Sequence, residues 1–234
     1  MKYKGTFKRR EKKYRLTREQ HDILLSRLSE YMEEDEYGVH TICSIYYETD
    51  NFQIIRNSLQ KPPYKEKLRL RSYGVQDADQ PVYMELKKKF KGTVYKRRVA
   101  VNQEDAFRYL EGNIPEDGCQ ILREIDWFLN FYNPKPCAFV ACERRALFSR
   151  ENSELRVTFD YDIRCRDRFL DFSHGTSGDR IMHDGEVLME IKIPGAMPVW
   201  LSKILNALKI YPVSFSKYGE YYKQYLLEGM SYAG

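Results

Sequence analysis

Apolar and polar residues alternate with a period of two in several separate stretches of the chain. In YKEKLRLRSY (64–73), Lys65, Lys67, Arg69 and Arg71 alternate with Glu66, Leu68 and Leu70. Successive side chains of a strand point to opposite faces, so this segment predicts a strand with four cations on one side. Residues 82–91 repeat the pattern with Glu85, Lys87, Lys89 and Lys91. Residues 94–101 set Lys96 and Arg98 opposite Val99 and Val101, and 90–93 (FKGT) predicts the hairpin turn between the two. Further strands are expected at 7–16, 40–48, 138–148, 155–163 and 187–193. In 155–163, Leu155, Val157, Phe159, Tyr161 and Ile163 face one way, and Arg156, Thr158, Asp160 and Asp162 the other. In 187–193, Val187, Met189, Ile191 and Ile193 oppose Leu188, Glu190 and Lys192.

Helices fall between these strands. Thr17-x-x-Gln20 is a capping-box signature, and Ile23, Leu24, Leu28, Tyr31 and Met32 form the apolar stripe of the helix that follows. A short helix is expected at 51–59, ended by Pro62-Pro63, and Asn102-x-x-Asp105 caps another that runs to about 111. Others are expected at 120–131, 199–208 and 217–227. The last has Tyr218, Tyr221, Tyr222, Tyr225 and Leu226 at packing positions. About seven long antiparallel strands with helical insertions make the class α+β. With 234 residues, 42% of them hydrophobic, the chain is expected to form a single domain over 1–234 with a core at about 6–227.

Net charge is +5, from 39 Lys and Arg against 34 Asp and Glu. This is too mild a bias for a general nucleic-acid binder, so local clustering carries the information. Five scattered cysteines without a CxxC pair argue against a disulfide framework and structural zinc and suit a reducing compartment. The segment MKYKGTFKRREKKY has no apolar h-region, and no apolar run reaches about 18 residues; a cytoplasmic protein without signal peptide or membrane span is expected. The four histidines show no catalytic spacing.

On a single strand, a solvated basic face explains the pattern. Over six strands that explanation weakens, because Arg69, Arg71, Arg98, Arg144 and Arg156 dominate rather than the mixed signs of a soluble surface. Arginine suits multidentate phosphate recognition. If the sheet closes on itself, these faces converge on a lumen, and cations with a few carboxylates there suit a polyanion plus a divalent metal.

The ordered motifs give this reading a family. The chain resembles the VTC domain, the catalytic part of the vacuolar transporter chaperone polyphosphate polymerases, and its bacterial relatives, within the CYTH-like triphosphate tunnel metalloenzymes. The resemblance spans roughly 6–227. It rests on Glu11-x-Lys13-Tyr14, SIYYET at 44–49, Arg69-x-Arg71, Glu85-Leu86-Lys87 with Lys89, Lys96, Glu143-Arg144-Arg145-Ala146, LRVTFD at 155–160, LMEIK at 188–192 and SFSKY at 214–218. Two departures stand out. Arg9 occupies the first carboxylate position of the CYTH signature E-x-E-x-K, which points to the VTC branch, and Cys142 stands where the family has tyrosine.

The resemblance implies a closed antiparallel barrel of about eight strands, with helices packed outside and a C-terminal helix at the tunnel mouth. It implies transfer of the ATP γ-phosphoryl group to a phosphate or polyphosphate chain end. Arg69, Arg71, Lys87, Arg144 and Arg156 are the implied catalytic set; Lys13, Lys67, Lys89, Lys96, Arg98, Ser216 and Lys217 join them in binding phosphate. Glu190 is the implied ligand of Mn2+ or Mg2+, with Glu11, Glu85 and Asp160 as further carboxylates. Membrane-embedded accessory domains of the eukaryotic proteins are absent from these residues, so a soluble module is implied, with association with membrane proteins open. A triphosphate or nucleoside triphosphate hydrolase, or a non-catalytic polyphosphate-binding module, would use the same charges.

Overall fold

The computed structural model describes residues 10–75, 81–91, 93–115 and 118–227. The expected strand residues 7–9, Arg9 among them, most of the connection at 74–81, and Gly92 of the hairpin turn lie outside the described residues. The strands are β1 (Arg10–Leu16), β2 (Met32–Glu34), β3 (His40–Glu48), β4 (Tyr64–Tyr73), β5 (Val82–Phe90), β6 (Thr93–Val101), β7 (Lys135–Ser149), β8 (Arg156–Arg166), β9 (Asp179–Arg180), β10 (Val187–Ile193) and β11 (Pro212–Val213). The helices are α1 (Arg18–Leu28), α2 (Gln53–Leu59), α3 (Gln103–Leu110), α4 (Gln120–Tyr132), α5 (Val199–Ala207) and α6 (Lys217–Tyr221), the last continuing as a π-helical turn over Tyr222–Leu226.

The chain divides into two compact units. The first comprises Met1–His40, Cys142–Ile163 and Met182–Ser216, and the second Thr41–Ala141, Arg164–Ile181 and Lys217–Gly234. In the first, β1 pairs with β11 and β10, β10 pairs with β8, and β2 pairs with β7, all antiparallel. In the second, β3, β4, β5 and β6 pair in sequence order and β9 pairs with β8.

The α+β class and the antiparallel pairing hold, but the expected eight-stranded hydrogen-bonded closure does not. Among the described residues the sheet has eleven strands, nine of them in an open path from β11 to β6, with β2 and β9 paired to β7 and β8 off that path. The three strands beyond the expected count, β2, β9 and β11, have two or three residues each, too few to show a period.

Each unit buries one strand face under its helices. In the second unit, Leu68, Leu70, Met84 and Leu86 are fully buried in a cluster with Ile54, Ala106, Ile125 and Phe128. Each such Leu contributes about 2 kcal/mol by leaving water. A one-residue slip of β4 would turn Leu68 and Leu70 out and Arg69 in, so burial fixes which face carries the charge. In the first unit, Val157, Phe159, Met189 and Ile191 pack with Leu24, Leu28, Leu201 and Leu205.

The stripe expected to run to Met32 ends earlier as helix. The capping box forms as expected, but α1 stops at Leu28, and Met32 reaches the same core from β2. Ile23 is exposed, and Tyr31 stacks on Trp200 at 4.2 Å. The helix expected at 51–59 starts at Gln53, because Glu48 accepts hydrogen bonds from the Ile54 and Ile55 amides at 2.8 Å each. No helix among the described residues is long and apolar enough to cross a membrane.

Candidate functional site

In the second unit the face of β3–β6 opposite the apolar core carries a grid of cations. The register sets Ser44 beside Arg71, Tyr46 beside Arg69, Arg69 beside Glu85, and Glu85 beside Arg98. Toward the β5–β6 hairpin the next row is Lys67, Lys87 and Lys96, and the row after it pairs Lys65 with Lys89. Like charges directly opposite one another in a ladder are unfavourable, so this face is built for something anionic.

Glu85 holds the centre of the grid and is almost fully buried. Its Oε2 lies 2.7 Å from Arg69 Nε, 2.6 Å from Arg69 Nη2 and 3.8 Å from Arg71 Nε. Its Oε1 lies 2.6 Å from Lys96 Nζ and 3.5 Å from Arg98 Nε. Burial works against its charge, but Arg69, Arg71 and Lys96 outweigh burial and hold the carboxyl below the usual carboxylate range. Arg69 also loses solvation; Tyr46 and Glu85 more than offset that and keep it charged. Its Nη1 donates to the Tyr46 hydroxyl at 3.1 Å, and Arg71 Nε donates to Ser44 Oγ at 3.4 Å. The Arg98 guanidinium lies 3.6 Å from the Tyr83 ring centre and 5.2 Å from that of Tyr73. Lys87 and Lys89 are exposed.

Lys96 is the titrating member of the grid. Desolvation, helped by Arg69 and Arg71 and opposed by Glu85, pushes its pKa down to about 8. It is a cation below that pH and neutral above it. Tripolyphosphate affinity, followed by calorimetry, is therefore expected to weaken as pH rises through about 8, by up to about tenfold per pH unit above it. Lys96→Arg should remove that step, and a wild-type affinity flat from pH 7 to about 9 would contradict the assignment.

Lys217 opens α6 and contributes to lowering the pKa of Tyr46. Tyr218 stacks on Tyr46 at 5.0 Å, with Lys67 Nζ 5.9 Å from its ring centre, and donates to Glu48 at 3.2 Å. Glu48 thus caps α2 and anchors α6, a structural carboxylate rather than a ligand. Ser216 immediately precedes α6 and belongs to the first unit.

The first unit carries a second charged face with a different pattern. Its register runs Glu11, Lys192, Arg156 in one row and Lys13, Glu190, Thr158 in the next. The signs are therefore mixed, with carboxylates at Glu11 and Glu190 among the cations and one like-charged pair, Lys192 beside Arg156. Lys13 Nζ is 3.0 Å from Glu190 and 3.9 Å from Glu11. Arg144 forks onto the buried Asp160, with Nε at 2.5 Å from Oδ1 and Nη2 at 2.7 Å from Oδ2. Arg156 is about half exposed and meets Asp35 at 3.4 Å. Lys192 is desolvated, and burial lowers its pKa despite Glu190.

Among the described residues no group of three or more His, Cys, Asp or Glu side chains could hold a metal ion. Glu190 and Glu11 do offer hard oxygens on one face. Beside Glu190, the buried Thr158 Oγ1 has no hydrogen-bond partner among the described residues. An orphaned hydroxyl beside two carboxylates suits the hard oxygen donors that a divalent cation prefers.

The predicted residues therefore fall into two sets. Lys67, Arg69, Arg71, Glu85, Lys87, Lys89, Lys96, Arg98 and Lys217 lie in the second unit, and Glu11, Lys13, Arg144, Arg156, Asp160, Glu190 and Ser216 in the first. Tyr46, Tyr73, Tyr83 and Thr158 were not singled out by sequence. Tyr73, Tyr83 and Thr158 each sit two residues from a candidate on their own strand, so the period of two already placed them on the charged face; Tyr46 has no candidate on its strand and is placed there only by its pairing with Arg69.

The model of the family described as the VTC domain matches residues 8–226. Vacuolar transporter chaperone complex subunit 4 of Trypanosoma brucei brucei is 23% identical over 76% of this chain, which spans only 27% of that protein's length. Among solved structures, a candidate adenylate cyclase from Bacillus halodurans superposes with a TM-score of 0.55 at 18% identity, over 88% of this chain and 92% of the other. A candidate adenylyl cyclase from Hippeastrum, described as having a dominant triphosphatase activity, superposes with a TM-score of 0.52 at 16% identity, over 89% and 92%. These two share the fold.

Proposed function

The chain belongs to the VTC domain family, and from that premise we propose that it is a polyphosphate polymerase. It transfers the ATP γ-phosphoryl group to the end of a phosphate or polyphosphate chain and releases ADP. A terminal oxygen of the acceptor forms the new bond to the γ-phosphorus as the bond to the β,γ-bridging oxygen breaks. The acceptor brings its own nucleophile, so the protein's work is positioning and charge neutralisation.

Arg69, Arg71 and Lys96 bind and orient phosphate oxygens; Glu85 and Tyr46 fix the plane of the Arg69 fork. In the first unit, Arg144, aligned by Asp160, and Arg156 are likewise offered to phosphate oxygens. Glu190, with Glu11 and the Thr158 hydroxyl, would hold a divalent metal, Mn2+ or Mg2+, which supplies Lewis-acid neutralisation of phosphate oxygens when bound. ATP and polyphosphate are the ligands of this reading.

The length of the cationic face carries the choice of a polymer. From Arg71 to Lys65 is six residues of strand, about 20 Å at roughly 3.3 Å per residue. A triphosphate ends well inside that distance, which leaves the rows of Lys67, Lys87, Lys65 and Lys89 for a longer chain. A triphosphatase, the activity described for the Hippeastrum protein, has no use for those rows. The deciding measurement is a timed reaction with ATP and Mn2+ or Mg2+, its products sized on a gel. Phosphate chains lengthening with time are expected; orthophosphate alone would make the protein a hydrolase.

A further inference from the structure

The face of β4 and β5 that α4 covers is not covered to its end. Leu68 and Leu86 are fully buried, yet Tyr64 and Phe90, directly opposite each other in the ladder, are both exposed. Beside them α4 turns Trp127 and Phe131 outward, stacked at 4.9 Å and 53% and 62% exposed. The two pairs are linked from beneath: Phe131 meets Tyr132 at 4.7 Å, and Tyr132 and Tyr64 both donate to the buried Glu66, at 3.1 and 2.9 Å. Scattered exposed aromatics are ordinary, but a linked set is a recognition surface.

Its rim is basic. Lys61 and Lys91 are exposed, and the Lys91 amide donates to Pro63 O at 2.8 Å, which ties their two segments together. Lys91 Nζ lies 5.4 Å from the Phe90 ring centre. Both lysines have left-handed backbone, φ +55° and +45°, where glycine is the easy residue.

We propose that this surface docks the protein on an anionic lipid layer. Aromatic rings favour the headgroup boundary, and lysines beside them favour negatively charged lipids. The basic rim is what favours an anionic lipid layer over a second copy of this chain, whose net charge is +5. All of these residues belong to the second unit, and none of the lysines of this rim is used in the phosphoryl-transfer reading.

The test is co-sedimentation with phosphatidylcholine vesicles, with and without phosphatidylserine. Trp127 emission is followed in a Trp200→Phe background, these being the two tryptophans. Binding to phosphatidylserine vesicles with a blue shift is expected. Lys61→Ala with Lys91→Ala should lower the partition coefficient about 25-fold, at about 1 kcal/mol per cation. Trp127→Ser with Phe131→Ser should lower it at least as far, with circular dichroism unchanged. Four results overturn the proposal: no vesicle binding, binding equal in all variants, binding abolished when tripolyphosphate fills the phosphate face, or a wild-type dimer that Trp127→Ser with Phe131→Ser dissociates.

Discussion

Arg69→Ala combined with Arg71→Ala is expected to lower kcat/KM for ATP by about three to four orders of magnitude. Removing one preorganised donor aimed at developing charge costs about a hundred- to a thousandfold. Two that share one phosphate group are not additive, which sets the combined range below the product. The geometry makes Arg69 the larger contributor. Glu85 and Tyr46 hold its Nε, Nη1 and Nη2, so its plane is set before substrate arrives. Arg69→Lys keeps a charge but loses the fork and should recover only a small part of the activity. Glu85 keeps Lys96 and Arg98 as partners in the double variant, so thermal stability should fall much less than activity. Turnover within threefold of wild type would remove this face from the reaction.

Most of the strand architecture was legible because period-two alternation is a direct image of a half-covered sheet. Tyr64–Tyr73, Val187–Ile193 and the start of Arg156–Arg166 came out with the expected faces. Three kinds of information were not legible. The strands of two or three residues carry no period. The end of α1 was misplaced because Tyr31 and Met32 satisfy the core equally well from a helix or from a strand. Closure of the ladder depends on which edges meet, and no local pattern encodes that.

The candidate site was legible as faces but not as bonds. Alternation put Arg69, Glu85 and Arg98 on like faces of separate strands, but only the register shows that they are consecutive neighbours in one row. Lys192 is the same-face neighbour of Glu190 along its strand, yet the short contact of Glu190 is with Lys13, directly across the β1–β10 pair. A charged residue reveals its sign in sequence, and the identity of its partner only in space.

Glu85→Gln is expected to lose about 3–5 kcal/mol of stability without ligand, the range for taking one partner out of a buried ion pair. Its carboxylate is the shared anion of Arg69, Arg71, Lys96 and Arg98. Glutamine fills the same space but leaves four cations facing one another. The pH dependence has a definite sign. The folded pKa of Glu85 is depressed, so its contribution is complete above the ordinary glutamate pKa of about 4.3 and is lost as pH falls below it. Wild-type stability should therefore drop through that acid range more steeply than the variant's. The Lys96 titration near pH 8 should also move down, because the upward pull on it comes from Glu85. Tripolyphosphate supplies the missing anion and stabilises by about 2.7 kcal/mol at a hundred times its Kd. It should raise the melting temperature of Glu85→Gln by more than that of wild type, since in the variant it also relieves the repulsion. Equal thermal shifts in the two proteins would mean that Glu85 and the phosphate chain do not share the same cations. A larger shift in the variant would identify Glu85 as a resident stand-in for the ligand, holding open a face that its own cations would otherwise destabilise.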